Sequence, residues 1–165
     1  NDMRRLIEEP VAQYHVEYDP LAIERLTAVT AGHPYFTQLA LHEMMVLHNE
    51  TERSYLTLND VNHALERIAE RGEAHFKYIW SESCDEGRLI LRGLTELLIN
   101  AETVQKQDLE EYLHSRGHDS ADKWHGALRS LEGRDILTSQ SAKSTRYHFK
   151  VDLIRLWIEK TRPSL

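Results

Sequence analysis

Thr30-Ala31-Gly32-His33-Pro34-Tyr35-Phe36 is the stretch on which the reading of this 165-residue chain turns. A proline one step past Gly-His, followed by Thr37-Gln38-Leu39-Ala40-Leu41, predicts a sharply started helix. Pro34 suits the first helical position, where its missing N–H costs nothing and its fixed φ is already helical. Gly32 lets the backbone turn immediately before it. The start of such a helix carries the positive end of its dipole and suits a phosphate or other anion. The same triplet also reads as a plain loop-to-helix junction, because Gly-x-Pro is common.

Working outward, Asp19-Pro20 predicts a second helix start, with Asp19 as N-cap. Leu21, Ile23, Leu26, Ala28 and Val29 supply its apolar face, and it ends at Thr30-Ala31-Gly32. After Pro34 the apolar stripe runs through Tyr35, Phe36, Leu39, Ala40, Met44 and Leu47 at helical spacing. Thr57-Leu58-Asn59-Asp60 resembles a capping box with Asp60 at the third position, and Val61, Ala64, Leu65 and Ile68 then face inward. Residues 2–8 and 74–83 read as further helices, with 11–18 a connector that is partly extended.

The second half differs. Leu89 to Leu98 is strongly apolar, and Thr103-Val104 reads as a short extended turn into a helix over 107–114. Gly117 breaks that helix, and Asp119 or Ser120 caps a third running to about Glu132. Two β-like runs, 135–138 and 146–149, flank a polar loop, and Val151–Lys160 is an amphipathic helix in which Asp152 and Arg155 pair. Leu153, Leu156 and Trp157 are expected in its core. Helices, a hairpin and a last helix spell a winged helix. The expected fold is mainly α: a helical lid-type bundle over 1–83, then a winged-helix domain over 84–165.

These segments resemble, in order and spacing, the lid and winged-helix region of the STAND and archaeal-type ATPases, P-loop NTPases of the AAA+ kind. The resemblance rests on Leu6-Ile7-Glu8-Glu9-Pro10, on Gly32-His33-Pro34, and on the runs Leu128 to Leu137 and Tyr147 to Ile158. It implies that Pro34 lies near the adenine of a nucleotide held by a P-loop core, that Gly32 shapes the turn, and that His33 points towards the phosphates or a neighbouring domain. Histidine can be neutral or charged near pH 7, so the resemblance makes His33 a candidate to register a γ-phosphate; helix capping is the other reading of it. ATP or ADP with Mg is then expected in a full-length protein. The implied partners are that core, an effector domain or a second copy. The implied role is signal transduction, in which the winged helix acts as an intramolecular brake.

A winged helix also raises DNA binding. Lys123 and Arg129 on the third helix, with Lys143 and Arg146 at the wing, are the candidates. Asp119, Asp122 and Glu132 lie among them, and Trp124 reads as core. Residues 1–83 carry 14 acids and 7 bases, whereas 84–165 carry 13 of each. An acidic first half argues against broad nucleic-acid binding.

No Gly-x-x-x-x-Gly-Lys-Ser/Thr loop is present, so no catalysis is expected of this chain by itself. His42, Glu43 and His48 lack zinc-protease spacing, and His114 and His118 are separated by a helix-breaking Gly117. No native metal site is expected. The single Cys84 sits beside Asp85 and Glu86, which oppose thiolate formation. One cysteine, no secretory signal and no apolar run of membrane-spanning length suggest a cytoplasmic protein. A start at Asn1 suggests a piece of something longer.

Overall fold

The computed structural model describes Arg5, Ile7 and residues 16–117, 121–141 and 145–165. Of the expected helix at 2–8 only Arg5 and Ile7 are described, and most of the 11–18 connector lies outside the described residues. The chain divides into two compact units, Asn1–Arg71 and Gly72–Leu165.

In the first unit, β1 (Glu17–Tyr18) leads into α1 (Pro20–Thr30), α2 (Pro34–Thr51), β2 (Tyr55–Leu56) and α3 (Leu58–Arg71). β1 and β2 pair in parallel, Glu17 with Tyr55 and Tyr18 with Leu56. Asp19 caps α1, its Oδ1 accepting from Leu21 N–H at 2.8 Å. The buried face of α1 is Ala22, Ile23, Leu26, Val29 and Thr30, so Leu21 and Ala28 leave the expected stripe for the surface. Thr57 and Asp60 close the capping box: Asp60 N–H donates to Thr57 Oγ1 (3.4 Å), and Thr57 N–H donates to Asp60 Oδ2 (2.8 Å).

Buried charge ties α2 to α3. Glu43 is 0 % exposed in the middle of α2. Its Oε1 lies 2.8 Å from Arg67 Nε, without hydrogen-bond alignment, and its Oε2 accepts from Arg71. Arg67 also grips Glu50 with two nitrogens, at 2.7 and 3.2 Å. A carboxylate in this position is tolerable only when paired.

The second unit holds α4 (Ala74–Ser81), α5 (Asp85–Leu97) with a 3₁₀ turn at Leu98–Asn100, β3 (Val104–Gln105), α6 (Lys106–Ser115), α7 (Ala121–Gly133), β4 (Leu137–Ser141), β5 (Thr145–Phe149) and α8 (Asp152–Thr161). The sheet order is β3-β5-β4, antiparallel throughout, with Leu137 opposite Phe149 and Val104 opposite Tyr147. That is the winged-helix arrangement. Against the expected 135–138 and 146–149, β4 starts two residues later, at Leu137, and runs on to Ser141, and β5 starts one residue earlier, at Thr145. Ser139 and Gln140 contribute no core side chain, yet their backbones pair with Tyr147 and Arg146. In α8, Leu153, Ile154, Trp157 and Ile158 are buried, and Leu156 is only half-buried. Trp124 is in the core, as expected.

The join lies one helix earlier than 83/84. Phe76 of α4 stacks on Trp157 (5.7 Å between centroids, 20° between planes), and Trp80 Nε1 donates to Ser164 O at 2.8 Å. Arg88 Nε donates to Trp80 O (3.0 Å) and its terminal nitrogen to Ser81 O (3.1 Å). Arg134 reaches Glu82 O at 3.2 Å. These bonds cap the C-terminal end of α4 from within the second unit, a placement that charge counting along the sequence does not detect.

Asp60, 2 % exposed, yields a pH prediction. Burial opposes its charge, but the Thr57 N–H and hydroxyl and the Arg53 guanidinium outweigh that and hold the carboxyl below its ordinary value. The stabilisation is therefore complete above the unfolded value of about 3.9 and is lost as pH falls through the lower folded value. Asp60→Asn should cost about 2 kcal/mol at pH 7. Urea unfolding of both proteins should show the difference shrinking in acid, and a gap independent of pH would contradict the assignment.

Candidate functional site

The Gly-His-Pro turn is built from both sides. Ala31 (φ 48°) and Gly32 (φ 69°) both adopt left-handed conformations at the end of α1. His33 N–H then donates to Thr30 O at 2.9 Å, and Thr37 N–H to His33 O at 2.9 Å. Beneath the turn, Thr37 Oγ1 donates to Thr30 Oγ1 (3.1 Å), which donates on to Leu26 O (2.8 Å). Both threonines are 0 % exposed. This relay fixes the angle at which α2 leaves α1.

Pro34 occupies the first turn of α2, as expected, and His33 stands at the N-cap position without a side-chain cap bond. Helix capping by the His33 side chain is thus not observed. Its ring instead lies 5.0 Å from that of Phe36, tilted by 58°. Phe36 is 2 % exposed, whereas His33, Pro34 and Tyr35 are exposed. Tyr35 therefore leaves the predicted core stripe. The first turn of α2 holds no acidic side chain, so the positive end of its dipole is not offset by a carboxylate of its own. An anion or a planar base could approach these exposed residues without displacing a core group.

Two of the nucleic-acid candidates, Lys123 and Arg129, share α7. Lys123 and Arg129 are exposed on α7. They are six residues apart, which places them roughly 120° apart around a helix of 3.6 residues per turn. Lys123 Nζ lies 3.7 Å from Glu86, and His125 Nε2 lies 3.9 Å from Glu110. The Arg129 side chain is exposed and makes no hydrogen bond or ion pair among the described residues. Arg146 is exposed on β5 and donates to Thr103 Oγ1 at 3.3 Å. Lys143 lies outside the described residues.

Most other bases of this unit are engaged within it. Arg88 and Arg134 hold carbonyls at the end of α4, and Arg92 donates to Pro163 O. Arg116 pairs with Glu96 at 2.9 Å, Lys150 with Asp135 at 2.6 Å, and Lys106 with Glu110 at 3.6 Å. Arg155 Nε lies 2.5 Å from Asp152, the predicted pair. Two features escaped the sequence reading: the buried Glu43 pair in α2, and an arginine-lined cleft in the second unit. Among the described residues no group of three or more His, Cys, Asp or Glu side chains is placed to hold a metal ion, and no helix is long and apolar enough to cross a membrane.

No protein-family profile matches the sequence, and no curated protein does. Among solved structures, a chain of Drosophila ORC bound to DNA is similar over 84% of this chain and 38% of that chain, at a TM-score of 0.42 and 9% identity. This chain thus spans well under half the length of that neighbour. A likeness this faint carries no argument about function.

Thr37→Val tests the relay under the Gly-His-Pro turn. Removing one buried hydroxyl of a neutral pair while keeping shape should cost about 1 kcal/mol. Chemical denaturation followed by circular dichroism measures it, and an unchanged midpoint would show that the relay does not hold the turn.

Proposed function

We propose that this chain is the regulatory C-terminal part of a STAND- or AAA+-like ATPase. In this reading a lid and a winged helix couple the nucleotide state of a P-loop core, outside this sequence, to packing and signalling. The observation that carries it is the Gly32-His33-Pro34 turn. It is rigid underneath through Thr30 and Thr37, exposed on top, and free of acidic side chains in the first turn that follows. Those properties fit a surface that meets adenine and phosphate. Pro34 would pack on the base, and His33 would face the phosphates or a neighbouring domain. ATP or ADP with Mg would be held by the core, whose chemistry supplies the hydrolysis. This chain's own part is to orient and to exclude water.

The second reading is a DNA-binding winged helix of an origin-recognition-like or transcriptional ATPase. Arg129 and Arg146, both exposed, favour it. The engagement of the remaining bases with carbonyls and carboxylates disfavours it, because phosphate contacts require donors that are available.

The first test is the size of the native polypeptide in source cells, detected with an antibody to this fragment. A band far above 19.3 kDa whose extension carries a P-loop supports the proposal, and a band at this mass overturns it. In the longer protein, His33→Ala and Pro34→Ala should each weaken nucleotide binding about fivefold to tenfold, the scale of one lost contact. Unchanged affinity and exchange would remove the turn from the site. Fluorescence anisotropy with random duplex at low salt separates the second reading. The regulatory reading expects little binding, whereas a DNA module shows a steep salt slope that Arg129→Ala and Arg146→Ala make shallower.

A further inference from the structure

A cleft of about 430 Å³ opens in the second unit, a size within the range of small-ligand sites of roughly 300–1,000 Å³. Three guanidiniums line it: Arg92 from α5, Arg116 just past α6, and Arg162 just past α8. Two carboxylates line it as well, Glu96 and Glu159, so the walls carry a net single positive charge.

Those carboxylates are already engaged. Glu96 Oε2 accepts from Tyr112 Oη (2.8 Å) and from Arg116 (2.9 Å), and Glu159 Oε2 accepts from Arg155 (3.0 Å). The arginines are less fully used. Each guanidinium has five N–H donors. Arg92 donates to Pro163 O, and Arg116 places Cζ over the Tyr112 ring, 4.3 Å from its centroid, with one bond to Glu96. Arg162 is exposed and has no side-chain partner among the described residues. Its backbone is left-handed, φ 42° and ψ 59°, at a helix end where glycine is cheapest.

Of the remaining lining residues, Thr95 spends its hydroxyl on Leu91 O (2.8 Å), and Ile99 and Ile158 are apolar. Ile158 is buried at the cleft, and Ile99 is 61 % exposed, a large apolar side chain left in water beside the guanidiniums. We infer that this cleft binds a small monocarboxylate with an apolar body. Arg162 and Arg92 would grip the carboxylate, and Ile99 and Ile158 would cover the body. A phosphate suits the walls less, because a second negative charge would face Glu96 and Glu159 with only a single net positive charge to balance it. The inference is independent of the ATPase reading.

Nuclear magnetic resonance titration of the 165-residue chain tests it, with 4-phenylbutyrate, its neutral counterpart 4-phenylbutan-1-ol, and inorganic phosphate as probes. Phenylbutyrate should saturate below about 10 mM and shift signals of Ile99 and Ile158, with the alcohol and phosphate each about tenfold weaker or absent. Arg162→Gln, which removes no internal bond, should weaken phenylbutyrate about tenfold, whereas Lys77→Gln should leave it unchanged. The inference is overturned by no saturable shift, by equal binding of the alcohol, by tighter binding of phosphate, or by equal losses in the two variants.

Discussion

Around the C-terminal end of α4, two arginines from later in the chain add bonds to backbone carbonyls, Arg88 to Trp80 O and Ser81 O and Arg134 to Ile79 O and Glu82 O. Arg88 reaches back from α5, and Arg134 from the turn after α7. Charge-assisted bonds of this kind exceed neutral ones in strength, and they also decide where α4 belongs. A helix that sequence order alone leaves with the lid is bound instead to the winged-helix unit. Phe76 and Trp80 then complete that unit's core against Trp157. The same bonds set the electrostatics, since a guanidinium held against a carbonyl is oriented inward and is poorly placed to meet a phosphate.

The first unit relies on buried polar links of a different kind. Its helices bury modest apolar faces, and three polar links fix their mutual angles. Thr30 and Thr37 set α1 against α2, Glu43 with Arg67 and Arg71 set α2 against α3, and Thr57 with Asp60 start α3. Each link desolvates polar atoms, and each is tolerable because almost every lone pair or proton finds a partner. Half-satisfied, they would weaken the unit. The acidic excess of the first half is thus partly internal: Glu43 and Asp60 are buried and paired, and they do not contribute to a solvent-facing negative surface.

Much of this was legible in sequence because it follows from local rules. Pro20 and Pro34 at helix starts, the Asp19 cap, the Thr57–Asp60 box and the Asp152–Arg155 pair all involve residues within a few positions of each other. The winged-helix order was legible from apolar periodicity and the β-like runs. What was missed is long-range or depends on chain direction. Nothing in local pattern distinguishes the buried Glu43 from the exposed Glu50 on the same helix, since only the approach of α3 decides it. Ala31 gives no signal of its left-handed backbone, because Gly32 beside it accounts for the turn. Gly93 gave none either. A Cβ there would fall 2.7 Å from the Tyr112 ring, so its absence is what lets α6 lie close enough for Tyr112 to reach Glu96.

The construction of the Gly-His-Pro turn constrains how it could work in a nucleotide-linked protein. A ligand shifts an equilibrium only by binding two states differently. This turn offers little room for two internal states, because moving His33 relative to α1 would disturb two left-handed residues and a buried threonine relay together. On the regulatory reading, the turn would therefore report a nucleotide by the position of the whole first unit and not by deforming itself. Core changes at Thr30 or Thr37 should then alter stability, while changes at the exposed His33 and Pro34 alter affinity. The two effects separate because the relay and the exposed residues lie on opposite sides of the same backbone turn.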